Sequence, residues 1–109
     1  MKIHCECGHV IHDGTDGLAH KGHVIPDRRW NELADAIDEA VETSDTPRQR
    51  EAACMRLRVL LNDMARTAWQ CTECGRLYLD NADHHLRSFE PRPDEDVRDI
   101  LAGGSKGRA

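Results

Sequence analysis

Two short stretches hold most of the reactive side chains in this sequence: Cys5-Glu6-Cys7-Gly8 and Cys71-Thr72-Glu73-Cys74-Gly75. Each is a pair of thiols followed at once by glycine. Thiolates one or two residues apart can wrap a single soft cation. Four of them complete the tetrahedral sulfur set that structural zinc takes. A glycine after the pair lets the backbone turn back and aim amide N–H groups at the sulfurs. The spacing therefore predicts one structural Zn²⁺ held by Cys5, Cys7, Cys71 and Cys74. The first pair is one residue tighter than the second, which leaves His4 and His9 open as substitutes for Cys5. Disulfide or redox chemistry is the other use of paired thiols.

The N-terminal residues contain no apolar stretch of signal-peptide length. No apolar run is long enough to span a bilayer. A cytoplasmic chain is expected, with no membrane partner. Thiols stay reduced there, so paired cysteines bind metal more often than they cross-link. A staple is also needed. With 109 residues and only 4% aromatics, there is little bulky material for a core.

Charge bears on partners. Lys+Arg number 15 and Asp+Glu 20, for a net charge of −5. Four thiolates on one Zn²⁺ would take the chain to about −7. Such a chain repels phosphate backbones, so nucleic acid is an unfavoured partner.

The elements that must bring the thiols together follow from pattern. Residues 1–25 read as strand and turn, with Val10-Ile11 and His23–Ile25 forming a hairpin-like first lobe around the turn dipeptides Asp13-Gly14 and Asp16-Gly17. Residues 27–43 read as a helix, with Asp27 at its N-cap. Trp30, Leu33, Ala34, Ile37, Ala40 and Val41 share one stripe of it. Thr46-Pro47-Arg48-Gln49 reads as a capping box with proline at the first helical position. In the helix it opens, Ala53, Cys54, Leu57, Leu60, Leu61, Met64 and Ala68 share a stripe. The two helices are expected to pair antiparallel through a core of Trp30, Leu33, Ile37, Leu57, Leu60, Leu61 and Met64. Residues 66–89 read as strand, knuckle, strand, turn, strand, with Leu77 and Leu79 alternating with Arg76, Tyr78 and Asp80. Asp94–Leu101 has the pattern of one or two helical turns, and the Gly/Ser-rich tail that follows reads as disordered.

"WQCTECGRLY" and, one residue shorter, "HCECGH" resemble the zinc-ribbon group, in which two cysteine knuckles on β-hairpins clasp one zinc. The resemblance covers about residues 3–25 and 66–89. It implies an α+β fold: zinc-ribbon-like β-hairpin lobes closed by one zinc, with an inserted antiparallel two-helix hairpin. The organisation is then one zinc-stapled domain over residues 1–90, its helical insert at about 27–66, followed by a C-terminal extension over 91–109 that is partly disordered. In the group the zinc usually serves the fold, so the resemblance implies architecture and no single activity.

Other side chains have plainer readings. His4, His9, His12, His20 and His23 fit a polar hairpin with exposed imidazoles. Asp83-His84-His85 stands in a turn without the acidic clusters that a two-metal site needs. Cys54 lies on an apolar helical stripe and reads as a core cysteine; Trp30 and Trp69 read as core. No nucleophile–base pair emerges, and a four-thiolate site leaves no open metal position, so the chain is not expected to be an enzyme.

The helices differ in sign. Residues 27–45 hold seven carboxylates against Arg28 and Arg29. The second helix carries Arg48, Arg50, Arg56, Arg58 and Arg66 against Glu51 and Asp63. Glu32, Asp35, Asp38, Glu39 and Glu42 are the candidate partner-binding residues, an anionic face for a basic protein. The function expected is that of a small zinc-stabilised protein-binding module or inhibitor. Its general character is similar to bacterial immunity proteins that neutralise a basic toxin domain. The alternative is a nucleic-acid-associated zinc-ribbon regulator.

Overall fold

A computed structural model of the chain describes residues 1–80 and 85–103. It is a mixed α+β structure with two antiparallel-built sheets and two helices. The described chain divides into two compact units: Met1–His23 with the chain from Arg66 onward, and Val24–Ala65.

In the first unit, β1 (Lys2–His4) and β2 (Val10–His12) pair antiparallel with Ile3 opposite Ile11. The Cys5–Gly8 knuckle is the turn between them. Both isoleucines are buried while their neighbours Lys2, His4 and His12 are exposed, the period-2 signature of a strand with one covered face. The second sheet runs β3 (Lys21–Val24), β4 (Arg66–Gln70), β5 (Leu77–Asp80), β6 (Leu86–Phe89) in that order. β4 and β5 are antiparallel around the second knuckle, and β5 and β6 are antiparallel.

Two expectations are corrected here. Val10-Ile11 does not return through residues 23–25. Its partner is the N-terminal strand, and β3 joins the other knuckle's sheet, where Gln70 N–H donates to His20 O at 2.9 Å. The phase of β5 is also opposite to that read from its leucines. Tyr78 is buried and Leu77 and Leu79 are half-buried, because the strand turns its Arg76/Tyr78 face toward the thiols.

The core of this unit is Ile3, Cys5, Ile11, Trp69, Cys71 and Tyr78, with Cys74 packed against it. The thiol cluster is thus part of the core. Asp13 closes one edge. Its carboxylate accepts from Trp69 Nε1 at 2.9 Å and from Lys21 Nζ at 3.0 Å. The indole N–H, then Lys21, hold its carboxyl below the ordinary 3.8. A depressed carboxyl stabilises the fold fully above 3.8 and loses that contribution as pH falls toward the folded value. Asp13→Ala should therefore cost about 1.5–3 kcal/mol. The cost should be constant across the neutral and mildly acidic range, as denaturant titrations of both proteins would show.

In the second unit, α1 (Asp27–Thr43) and α2 (Pro47–Met64) pack on each other. The short connection makes them antiparallel, and Arg29 near the start of α1 meets Asp63 near the end of α2 at 3.0 Å. The capping box of α2 forms as its sequence predicts. Thr46 accepts from Gln49 N–H, and Gln49 Oε1 accepts from Thr46 N–H at 3.0 Å. Asp27 is not the N-cap of α1. Pro26 occupies that position without a side-chain cap, and Asp27 is the first helical residue.

The expected helical core is only partly formed. Leu33, Ala53 and Met64 are buried, but Trp30, Ile37 and Leu61 are exposed, as is Cys54. The reason is geometric: a pair of helices covers one narrow strip on each, and side chains beyond that strip need a third element. Asp94–Leu101 forms turns instead of helix. Asp83 and His84 lie outside the described residues.

Candidate metal centre

Each knuckle is built by two backbone hydrogen bonds. Cys5 N–H donates to His9 O and Gly8 N–H to Cys5 O, both at 2.9 Å. In the second knuckle Cys71 N–H donates to Arg76 O and Gly75 N–H to Cys71 O, also at 2.9 Å. The bonding scheme is the same, closed one residue sooner in the first knuckle. Gly8 and Gly75 stand at φ +99° and +83°, the left-handed region where a side chain is strained. That explains the glycine after each cysteine pair.

The knuckles face each other sulfur to sulfur. Cys5 Sγ lies 3.6 Å from Cys74 Sγ, and Cys7 Sγ lies 3.6 Å from Cys71 Sγ. All four sulfurs fall within 4.8 Å of one another. A disulfide requires about 2.05 Å. A tetrahedron with metal–sulfur bonds of about 2.3 Å has edges of about 3.8 Å. The cluster therefore has the size of a metal site, and the cysteines are free thiols. No histidine joins the cluster among the described residues, so His4 and His9 are not brought to it.

The surroundings suit anionic sulfur. The Glu73 and Cys74 amides donate to Cys71, the Arg76 amide to Cys74 and the Cys7 amide to Cys5. Burial pushes the Cys5 thiol up, but the Tyr78 hydroxyl and the neighbouring Cys7 and Cys74 groups outweigh it and bring Cys5 down to about 6. Burial dominates at Cys71, which is fully enclosed and pushed up to about 12. One thiol thus ionises readily and others hold their protons, so a cation entering the cluster must displace protons. Acidification opposes loading for the same reason.

Three contributors were not evident from residue types alone. Tyr78 accepts from Glu6 N–H at 3.3 Å and touches Cys5. Arg76 brings its guanidinium to the same sulfur and pairs with Glu6 at 3.3 Å. Its Nε is buried with no partner among the described residues, a cationic donor held beside a cluster that carries negative charge when loaded. A third contributor, Gln70, is 2% exposed. Its Nε2 donates to Gly75 O at 3.1 Å and to Val97 O at 2.8 Å, and its Oε1 accepts from Ile100 N–H at 2.9 Å. One side chain thereby clasps the C-terminal segment to the second knuckle. A Cβ on Gly75 would stand 2.9 Å from Val97 O.

The candidate partner residues Glu32, Asp35, Asp38, Glu39 and Glu42 are all exposed along α1. Glu32 is held by Arg29 at 2.9 Å. They form a surface apart from the thiols in sequence and belong to the other unit. No helix among the described residues is long and apolar enough to cross a membrane.

Fold and site together define an α+β protein with four cysteines gathered closely enough that they could hold a metal ion. A family model described as a domain of unknown function (DUF8617) matches residues 1–96, and the chain belongs to that family. No curated protein and no solved structure matches it.

Proposed function

We propose that the four thiolates hold one structural Zn²⁺ in a zinc-ribbon-like clasp, and that the stapled chain is a protein-binding module of the cytoplasm. All four coordination positions are filled by sulfur, so the metal has no place for a substrate and serves the fold. The module acts by docking the acidic face of α1 on a basic protein. An immunity-type role, covering the cleft of a basic toxin domain, fits this size and charge.

The observation that carries the reading is the run of five exposed carboxylates, Glu32, Asp35, Asp38, Glu39 and Glu42, on a chain of net charge −5. Such a face steers a cationic surface from a distance and repels phosphate. The test is a triple reversal, Asp35→Lys, Glu39→Lys and Glu42→Lys, read against the basic protein that co-purifies from the native host. Association should slow and its salt dependence flatten, while the melting temperature stays nearly unmoved because exposed substitutions cost little. Association at the wild-type rate at low salt would reduce the face to a solvated surface.

A second reading rests on α2, where Arg48, Arg50, Arg56 and Arg58 are exposed. A nucleic-acid-associated regulator would use that row. Binding of duplex DNA or RNA at physiological salt, with a steep salt slope, would favour it over the first reading.

A further inference from the structure

The four thiols of the cluster are unequally open to solvent. Cys7 is exposed, whereas Cys74 is half-buried, Cys5 is buried and Cys71 is fully enclosed. The Tyr78 hydroxyl and the Arg76 guanidinium also lie against the Cys5 sulfur. Cys7 is therefore the vertex that a reagent from solvent meets most readily.

The sulfurs also fall into two pairs, and each pair takes one cysteine from each knuckle. Cys7 Sγ stands 3.6 Å from Cys71 Sγ, and Cys5 Sγ stands 3.6 Å from Cys74 Sγ. A Cys7–Cys71 disulfide needs its sulfurs to close by about 1.5 Å. Oxidation of a cysteine follows its thiolate character and its exposure. A cysteine that holds a metal ion is already a thiolate. Cys7 meets both conditions, and Cys71 supplies an enclosed second sulfur beside it.

We propose that Cys7 is an oxidation site, at which a hydroperoxide converts the Cys7–Cys71 pair to a disulfide and the clasp gives up its Zn²⁺. This rests on the four-thiolate clasp proposed above. Cys7 Sγ attacks the outer oxygen of the hydroperoxide. The O–O bond breaks, Cys7 becomes a sulfenic acid, and the alkoxide that leaves takes a proton from water. Cys71 Sγ then attacks the Cys7 sulfur. The S–S bond forms, the S–O bond breaks, and the hydroxide that leaves is protonated to water. Two thiolates lose two electrons in all, while one hydroperoxide and two protons become an alcohol and water. The cluster keeps two thiolates, too few for a structural zinc site. The new bond joins the same two knuckles as the clasp, between cysteines 64 residues apart. Reduction by a dithiol therefore returns four sulfurs that already face one another.

The test uses the full chain with Cys54→Ser, which removes the exposed thiol outside the cluster. Native mass spectrometry first establishes its zinc content. Limiting hydrogen peroxide is then added, released zinc is followed with a chromogenic indicator, and tryptic peptides are mapped by fragmentation. One zinc should be lost per disulfide formed. The peptide of residues 3–21 should be joined to that of residues 67–76 through Cys7 and Cys71. Dithiothreitol with added Zn²⁺ should return one zinc per chain. Limiting N-ethylmaleimide on the zinc-loaded chain should place its first label on Cys7. A chain that holds no zinc would end the clasp reading and this proposal with it. In a zinc-loaded chain, a first disulfide other than Cys7–Cys71 would overturn this proposal and leave the clasp standing. A first label on Cys5, Cys71 or Cys74, or zinc retained in excess peroxide, would do the same.

Discussion

Cys71→Ser is expected to release the metal and to unfold the unit that contains both knuckles. The serine hydroxyl keeps its proton at neutral pH and is a poor ligand for a soft cation, so three sulfurs remain. Metal-binding free energy is also folding free energy, and for structural zinc it reaches about 10–16 kcal/mol. That is as large as the whole stability of an ordinary domain, about 5–15 kcal/mol. Cys71 is also fully enclosed among Ile3, Ile11, Trp69 and Tyr78, so the variant loses core packing along with its metal. Trp69 reports the event. It is buried in that core, whereas Trp30 is 56% exposed before any unfolding. The emission of the variant should therefore shift to the red, and excess zinc should not reverse the shift. Cys54→Ser, outside the cluster and exposed, should leave emission and metal content as they are.

Gln70→Leu is the second large effect. The leucine fills similar space but makes none of the three hydrogen bonds. Gly75 O loses its amide donor inside a buried knuckle, and Val97 O and Ile100 N–H lose their tie to the body of the unit. One orphaned buried carbonyl and two released backbone groups should together cost about 2–4 kcal/mol. The loss is local before it is global. Amide exchange should accelerate from Val97 to Leu101, with transfer of metal to a chelator faster than in wild type. Gln70→Glu should fail as well, because a carboxylate cannot donate to Gly75 O. Unchanged exchange at Ile100 would show that the segment is held by something other than this clasp.

How far the sequence discloses this structure depends on the range of each interaction. The knuckles are local objects: two thiols, a glycine at positive φ and a tight turn fit within six residues, so spacing reveals them. The capping box of α2 is legible for the same reason, since Thr46 and Gln49 are three residues apart. The acidic stripe of α1 is legible because helical period and charge suffice to see it. Tyr78 is harder. Two flanking leucines suggest the opposite strand phase, and only the position of Cys5, far earlier in the chain, explains why the tyrosine turns inward. Gln70 is harder still, because a lone glutamine gives no sign that the chain returns to it 27 and 30 residues later. β1 has a single buried side chain, Ile3, too little for a period to show. Trp30 and Cys54 fit apolar stripes and are nonetheless exposed. A stripe says that a face wants cover without saying that this chain supplies it.

The claim that the chain is a metal-stapled protein is tested most directly by native mass spectrometry of protein purified without added metal or chelator. One zinc per chain is expected. Its removal by a strong chelator should abolish the cooperative melt and shift Trp69 emission together. A metal-free chain with a cooperative melt that no chelator alters would contradict the account.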